Sequence, residues 1–353
     1  IIAGGGLNGS ALALALAGAG MRVSIVEPVA VTLRKSGEFD GRSYALAVAS
    51  KRLLQMIDVW PAIAANTQPI LQIKVTDGRA SEGPSPMMLE FDHAEIEEGP
   101  MGYMVEDRYL RRAFLDAITA HPSITQISGD MVADHVVGPG SVKVTLNSGK
   151  TLTASVLVGC DGRNSATAQR CAISRNGWNY GQTALVCALN HELPHNGVAH
   201  QFFMPPGPLA ILPLPGNRSS IVWTEAQDEA QRIQGLDDAD YLDVLRPRFG
   251  SFLGDISLAG ARFTYPLTMT LAESFVAERI ALVGDAAHAM HPIAGQGLNA
   301  GLKDVAALCE VLALARRRGE DIGRINVLER YQQWRRFDAM AMALAMDDFN
   351  RLF

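Results

Sequence analysis

The 353-residue sequence is poor in several features that mark common classes of protein. Its four cysteines have no CxxC or metal-ligand spacing, so we expect buried thiols in a reducing compartment and no bound metal. A formal net charge of −6, without any basic block, argues against a nucleic-acid surface. The cysteines are Cys160, Cys171, Cys187 and Cys309.

Long apolar runs are also missing. The longest, Ala11 to Met21, is shorter than the roughly 20 residues that span a bilayer. No signal peptide, internal repeat or low-complexity segment is visible. We therefore expect a soluble, cytoplasmic chain, and peripheral association with the inner face of the membrane stays open. Because the chain starts without Met and directly in an apolar strand, we also expect its front to be trimmed.

A glycine fingerprint stands at the start of the chain. Gly4, Gly6 and Gly9 form a G-x-G-x-x-G between an apolar strand and a helix rich in Ala and Leu. A second strand, Arg22 to Val26, ends in Glu27, a candidate acceptor for a ribose hydroxyl. The first glycine makes the tight turn, the second lets the backbone approach a pyrophosphate, and the third permits close helix–strand packing. The pattern predicts a bound dinucleotide.

The most informative run is 281–304, ALVGDAAHAMHPIAGQGLNAGLKD. Its apolar strand delivers one carboxylate, Asp285, to a ligand hydroxyl at the carboxyl end of a strand, where open α/β sheets bind ligands. The turn from Gly295 to Gly297 leaves backbone N–H groups uncovered at a helix N-terminus, which suits an anionic ligand edge. Taken alone, the run also fits a plain strand-to-helix turn with a solvated Asp.

With these motifs the sequence resembles the FAD-dependent aromatic hydroxylases of the p-hydroxybenzoate hydroxylase fold. Besides 281–304, the resemblance rests on the Asp161-Gly162 turn. The segments GPLAILPLP and RYQQWRRFDAMAMALAMDDFNRLF are similar to the branch of that family that acts in ubiquinone biosynthesis. The resemblance covers essentially the whole chain and implies that the protein continues for a few tens of residues beyond Phe353.

The resemblance implies an α/β fold of mixed α+β character. It has a Rossmann-like FAD-binding domain, an inserted antiparallel-sheet substrate domain and C-terminal helices. We expect the FAD-binding domain to comprise 1–67, 99–176 and 257–320. The substrate domain is expected at 68–98 and 177–256, and a C-terminal helix at 321–353.

The fingerprint and the resemblance together assign sixteen residues to FAD. In the resembled family Asp285 holds the ribityl chain, while Pro292 and the glycine turn flank the isoalloxazine ring. Arg42 is implied to touch FAD and face the active site, with a surface Arg capping a loop as an equal alternative. The full set is Gly4, Gly6, Leu7, Asn8, Gly9, Glu27, Arg42, Asp161, Gly284, Asp285, Pro292, Gly295, Gln296, Gly297, Leu298 and Asn299.

Two positions depart from the family. Asp161 is implied to serve FAD and the transient binding of NAD(P)H, with Ser165 capping the next helix. The Arg that the family often has three residues beyond that Ser is Ala168 here, which weakens the nicotinamide assignment. The family commonly has Arg, Gln or Asn where Asp107 stands, so the role of Asp107 stays open.

The resemblance implies an FAD-dependent, NAD(P)H-using monooxygenase that adds one oxygen atom from O2 to the aromatic ring of a polyprenyl phenol or quinol. Because no second G-x-G-x-x-G appears, we expect NAD(P)H as a co-substrate without its own domain. No nucleophile is needed, so Pro292, Gly295, Gly297 and Arg42 are expected to act by position. His288 and His291 are interpreted as structural residues.

Three alternatives stay open. A halogenase of the same fold is disfavoured because no WxWxIP run occurs, and a prenyl-chain reductase would consume NAD(P)H without incorporating O2. A non-catalytic FAD-fold protein that binds prenylated ligands is the third. Association with a membrane surface or a ubiquinone-biosynthesis complex follows only from the resemblance, and the oligomeric state does not follow at all.

Overall fold

The computed structural model describes residues 1–31, 37, 39–79, 83–96, 99–205, 207–290 and 295–352. Within them the chain forms four β-sheets and helices that cover the sheets. This arrangement confirms the predicted α/β class of mixed α+β character. No helix in these ranges combines the length and the apolar character needed to cross a bilayer.

Six strands form a sheet with the order β19-β20-β12-β1-β2-β8. All neighbours are parallel except β19 and β20, as expected for a Rossmann-like domain. β1, β12 and β20 are buried and apolar throughout, which is typical of a parallel sheet covered on both faces, whereas the edge strand β8 is only partly buried. They are β1 (Ile2–Ala3), β2 (Val23–Glu27), β8 (Ile124–Ser128), β12 (Leu157–Gly159), β19 (Val276–Ala277) and β20 (Ile280–Leu282).

Nine α-helices have their bounds within the described residues. Leu110, Phe114, Leu115 and Ile118 recur at helical spacing, which predicts a helix from Asp107 to Ala120. The structure confirms this helix and buries all four side chains. The helices are α1 (Leu7–Gly18), α2 (Val48–Met56), α3 (Trp60–Ile63), α4 (Asp107–Ala120), α5 (Ala166–Arg170), α6 (Gln227–Gln234), α7 (Asp238–Phe249), α8 (Gln296–Arg317) and α9 (Ile325–Leu352).

A second, nine-stranded sheet is mostly antiparallel, with one parallel pair, β14 and β5. Phe202, Met204, Leu209 and Ile211 on one face are buried in the core with α6 and α7, so these four residues are ordinary sheet core. The strands are β5 (Gln72–Arg79), β6 (Gly83–Asp92), β13 (Arg175–His191), β14 (Val198–Met204), β15 (Gly207–Leu214), β16 (Arg218–Ala226), β17 (Ile256–Leu258), β18 (Phe263–Ala272) and β21 (His288–Ala289).

Two three-stranded sheets complete the described part of the chain. The residue pattern from Ser43 to Ile57 predicts a helix, and this prediction is wrong for the first five residues. Ser43–Ala47 instead pairs with Gly102–Glu106 as an antiparallel strand. One sheet contains β3 (Ser43–Ala47), β7 (Gly102–Glu106) and β4 (Thr67–Ile70), and the other contains β9 (Val132–Val137), β10 (Val142–Leu146) and β11 (Thr151–Ala154).

The predicted domain boundaries stay a prediction. β17 and β18 lie in or at the edge of 257–320, the range expected for the FAD-binding domain, yet both pair with β13 of the nine-stranded sheet. α9 covers most of the expected C-terminal helix, 321–353.

The close packing of α1 on the parallel sheet generates a prediction about two glycines of that helix. A Cβ on Gly9 would lie 2.0 Å from the carbonyl oxygen of Gly4, whereas a Cβ on Gly18 would meet nothing within 4 Å. We expect Gly9→Ala to lower the free energy of unfolding by about 2–3 kcal/mol, because the backbone must shift. Gly18→Ala, the matched control, should be neutral or stabilising by up to about 1 kcal/mol. Urea unfolding measures the free energy of unfolding of both variants. Equal changes in the two variants would contradict the packing argument.

Candidate functional site

A cavity of about 250 Å³ lies between the N-terminus of α1, the end of β2 and the start of α4. Pockets for drug-sized ligands usually measure about 300–1,000 Å³, so this cavity suits one part of a dinucleotide. Its walls combine backbone atoms, the separate carboxylates of Glu27 and Asp107, and the guanidinium of Arg111. The lining residues are Gly6, Leu7, Ser10, Glu27, Val29, Tyr44, Asp107, Arg111 and Phe114.

The glycine fingerprint forms one wall of the cavity. Gly4 has a left-handed backbone (φ +99°), and a Cβ there would lie 2.4 Å from the carbonyl oxygen of Cys160 on the neighbouring strand. Gly6 is the N-cap of α1, and a Cβ there would meet nothing within 4 Å. The first N–H groups of α1 have no partner inside the helix. Both glycines therefore fit the roles that the fingerprint predicts.

Glu27 ends β2 beside the same wall. Its carboxylate accepts hydrogen bonds from the backbone N–H of Gly5 (2.6 Å) and of Val29 (3.0 Å). These bonds fix its orientation, and each carboxylate oxygen keeps a further lone pair for a donor in the cavity. This geometry fits a ribose hydroxyl, as the fingerprint predicts.

One ion pair joins the Asp161-Gly162 motif to the motif at 281–304. Asp285 lies in the 3₁₀ turn Gly284–Ala286, and its Oδ2 is 3.3 Å from Nε of Arg163 in the Asp161-Gly162 motif. Both side chains are about two-fifths exposed, so the pair adds little stability. The Asp285 carboxylate can therefore bind a ligand hydroxyl with little loss of stability. The structure brings together two motifs that are 122 residues apart.

Asp161 itself is directed towards α5. Its carboxylate accepts from the Ser165 hydroxyl (2.5 Å) and from the backbone and hydroxyl of Thr167 (both 2.8 Å). Ser165 accepts from the backbone N–H of Ala168 at 3.0 Å, which confirms the predicted helix cap. The side chain of Asp161 thus holds its own turn, and its contact with FAD or NAD(P)H stays a prediction.

The start of α8 is organised by one buried amide. Gly295 is the N-cap with a left-handed backbone (φ +62°), and a Cβ on Gly297 would meet nothing within 4 Å. Asn299 accepts from Ala47 N–H (2.9 Å) and the Ser50 hydroxyl (2.7 Å) and donates to two backbone carbonyls. Its side chain therefore anchors α8 to β3 and α2.

Other predicted site residues have different surroundings. Pro292 and His291 lie outside the described residues. Leu298 packs against the main core, and Gln296 is half-buried. The Asn8 side chain fills the space beside Gly284 and Gly301, where a Cβ would lie 2.3 and 2.2 Å from its Nδ2. Asn8 thus joins α1 to α8, and direct contact of these residues with FAD stays a prediction.

Arg42 lies between two carboxylates. Its Nη2 is 2.5 Å from Asp40 and 3.6 Å from Asp107, and its guanidinium lies 5.8 Å from the ring of Phe263. The hydrogen bond to Asp40 and the charge of Asp107 raise the pKa of Arg42, so it stays charged. Tyr265 stacks on Phe263 with ring centroids 6.5 Å apart. Neither the sequence nor the resemblance indicated these carboxylate partners.

A buried network behind the 3₁₀ turn was also missed. Asp304 on α8 accepts from the N–H of Gly284 (2.9 Å), from Nε2 of His288 (2.6 Å) and from Nε of Arg335 (2.8 Å). Burial alone would lower the pKa of His288, but the charge of Asp304 and the hydrogen bond to it raise that pKa. Burial would raise the pKa of Asp304, but His288 and Arg335 lower it. These contacts fit a structural role for His288, which stays an interpretation.

Comparisons with known proteins extend over the whole chain. The profile of the FAD binding domain family matches residues 1–345. The ubiquinone hydroxylase UbiL of Rhodospirillum rubrum is 42% identical over 353 residues, 100% of this chain and 81% of that protein. The 3-demethoxyubiquinol 3-hydroxylase of Escherichia coli is 35% identical over 353 residues, 99% of this chain and 88% of that protein.

Solved structures show the same fold. PqsL of Pseudomonas aeruginosa, in complex with 2-aminobenzoylacetate, has a TM-score of 0.83 at 21% identity. The similarity covers 99% of this chain and 95% of that one. It extends across the parallel sheet, the nine-stranded sheet and the C-terminal helices.

The buried network generates a prediction about stability. Asp304→Asn should lower the free energy of unfolding by about 3–5 kcal/mol, because it leaves the buried charges of His288 and Arg335 without their shared partner. Asp338→Asn is the matched control: Asp338 also pairs with Arg335, but its side chain is 42% exposed, so we expect less than about 1 kcal/mol. Urea unfolding of both apoproteins measures the difference, and a small effect of Asp304→Asn would contradict the assigned role.

The Asp304→Asn variant should also differ from the parent protein in how its stability depends on pH. The raised pKa of His288 contributes stability that is complete below its ordinary value of 6.5 and is lost as pH rises through the folded-state pKa. The parent protein should therefore lose stability above pH 6.5 more steeply than the Asp304→Asn variant. Parallel slopes in unfolding experiments across this range would contradict the pairing.

Proposed function

The chain belongs to the FAD binding domain family, and from that premise we propose that it is an FAD-dependent monooxygenase. It hydroxylates the aromatic ring of a polyprenylated phenol or quinol in ubiquinone biosynthesis. The observation that carries this proposal is the identity of 42% and 35%, over essentially the whole chain, to two proteins named as hydroxylases of ubiquinone or its precursor. The family match also confirms the resemblance inferred from the motifs.

The residues around the cavity fit FAD. Gly6 leaves backbone open to a diphosphate, Glu27 offers its carboxylate to a ribose, and Asp285 is accessible for the ribityl chain. The N-terminus of α8, at Gly295 and Gly297, would hold the edge of the flavin ring. FAD, when bound, supplies the redox chemistry by taking electrons from NAD(P)H and passing them to O2.

The chain's own residues supply position and electrostatics. The N–H groups of the first turn of α8 stabilise negative charge beside the helix end, where the dipole favours it. Arg42 adds a permanent positive charge, fixed by Asp40 and Asp107. Neither role requires a nucleophile or a general base. These site assignments, together with Pro292, are proposals.

The use of NAD(P)H is likewise proposed. The sequence has one G-x-G-x-x-G, which supports a co-substrate that binds transiently to the FAD-binding domain. A reductase of the same fold would also oxidise NAD(P)H, and a non-catalytic binding protein would not. The fate of O2 therefore separates the three functions.

Purified protein tests the proposal directly. Reconstituted with FAD and given NADH or NADPH, 18O2 and a prenylated phenol lacking one ring oxygen, it should form a product that contains one 18O atom. The measurement is mass spectrometry of the extracted product, with boiled protein as control. NAD(P)H oxidation with a reduced prenyl chain and no label would indicate a reductase, and protein that binds no flavin would indicate a binding role.

Cells that lack the gene provide the matching test of the pathway. We expect loss of ubiquinone and accumulation of a prenylated phenol that lacks one oxygen. The methyl and methoxy groups already present on that phenol identify the step. The proposed substrate would be contradicted if the quinone profile is normal in cells that lack this gene and also in a strain that lacks every related hydroxylase.

A prenylated substrate further leads us to propose contact with a membrane surface or with a ubiquinone-biosynthesis complex. Its support is the exposure of four large apolar side chains on α9, Trp334, Phe337, Leu344 and Leu352. Large exposed apolar patches mark interaction sites. The wild-type protein should float with vesicles of phosphatidylethanolamine and phosphatidylglycerol, and Phe337→Ser with Leu344→Ser should reduce the floated fraction several-fold. Equal flotation would contradict this surface.

A further inference from the structure

The cavity wall opposite α1 contains a buried carboxylate with three donors around it. Oδ2 of Asp107 is 2.5 Å from Nη2 of Arg111 and 3.6 Å from Nη2 of Arg42. Oδ1 of Asp107 accepts from the Tyr44 hydroxyl at 3.0 Å. Burial and the charge of Asp107 raise the pKa of Tyr44, which keeps that hydroxyl protonated as a donor.

The two charged side chains of this wall differ in their exposure. The Asp107 side chain is 4% exposed, while that of Arg111 is 27% exposed and lines the cavity. An arginine has five N–H donors. Within the described ranges, Asp107 is the partner found for the Arg111 guanidinium, so donors of Arg111 remain for a ligand. The Arg111 guanidinium therefore reaches the cavity further than the Asp107 carboxylate beside it, and its remaining donors suit an anionic ligand.

The opposite wall attracts the same kind of ligand. It consists of Gly6 and Leu7 at the N-terminus of α1, where uncovered N–H groups and the helix dipole favour an anion. A twelve-residue helix and a guanidinium thus converge on one cavity. Glu27 marks the ribose side of that cavity. A phosphate group of a dinucleotide is the ligand that both walls can bind at once.

We propose that Arg111 binds the diphosphate of FAD and that Asp107 is the positioning residue that holds Arg111 there. In the resembled family an Arg, Gln or Asn at position 107 contacts the flavin directly. The carboxylate of this chain cannot replace that donor. Arg111 follows Asp107 by four residues on α4, so both side chains lie on the same face, and the donor is displaced by one helical turn. The inference rests on FAD binding and not on the proposed hydroxylation.

The direction in which FAD affinity changes when the Asp107 carboxylate is removed tests the positioning role. A carboxylate beside a diphosphate repels it, so its simple removal should tighten FAD binding. If Asp107 acts by holding Arg111 and Arg42, its removal should weaken binding despite the relief of repulsion. The two accounts therefore predict opposite changes in the same dissociation constant.

Titration of the apoprotein with FAD, followed by quenching of flavin fluorescence, tests the role of Arg111. We expect Arg111→Gln to weaken FAD binding by about 10- to 100-fold, because it removes a charge-assisted hydrogen bond. The salt dependence of binding should also decrease. Arg112→Gln is the matched control: it makes the same charge change on α4, but the Arg112 side chain is 72% exposed and pairs with Asp116. Equal dissociation constants for the two variants would overturn the assignment.

Asp107→Asn is read in the same titration. A dissociation constant raised about 5- to 50-fold, together with a normal far-UV spectrum and melting temperature of the apoprotein, supports positioning. Tighter binding would overturn it. If Arg111→Gln does not fold, Arg111→Lys keeps the charge but loses the planar fork, and an intermediate loss is expected. Neither substrate nor NAD(P)H is present, so failure of this inference is separate from failure of the proposed hydroxylase.

Discussion

One buried carboxylate fixes the second half of the candidate site. Asp304 has no exposed side-chain surface, so its charge must be paired inside the protein. Its three donors come from the turn after β20, from β21 and from α9. Asp285 follows Gly284, whose N–H is one of those donors, so the position of the predicted flavin ligand depends on a helix that begins forty residues later. α9 is therefore a structural support of the site.

Local motifs explain why much of this site was predictable. The roles of Gly4, Gly6 and Gly9 require only short-range geometry: a tight turn, an open backbone and a close helix–strand contact. The Asp304 network was missed because its partners are 16 to 31 residues away in sequence, and each resembles an ordinary helix or strand residue. The local pattern of Ser43–Ala47 predicts a helix for a similar reason, since its strand pairing depends on the distant Gly102–Glu106.

Asp107 shows how a departure from a family pattern is resolved in three dimensions. The sequence left its role open because the resembled family commonly has Arg, Gln or Asn at this position. The structure places two cations beside this carboxylate, Arg111 one turn along α4 and Arg42 immediately before β3. The second, Arg42, is predicted to face the flavin. Asp107 thus connects Arg111, which is proposed to bind the diphosphate, with Arg42, which is predicted to face the flavin.

The link between the three-stranded sheet that contains β7 and the nine-stranded sheet follows the same physical rule. Glu106, at the end of β7, is fully buried and accepts from Arg108 (2.7 Å) and from Arg218 of β16 (2.6 Å). The ring of Phe39 lies within 5.5 Å of both guanidinium groups. Separating β16 from β7 would expose a Glu106 charge that has lost one of its two partners, so these two sheets are held together at this end. Phe39 immediately precedes Asp40, which holds Arg42. The Arg42 guanidinium is therefore positioned from the nine-stranded sheet, through Arg218 and Phe39, as well as from α4, through Asp107.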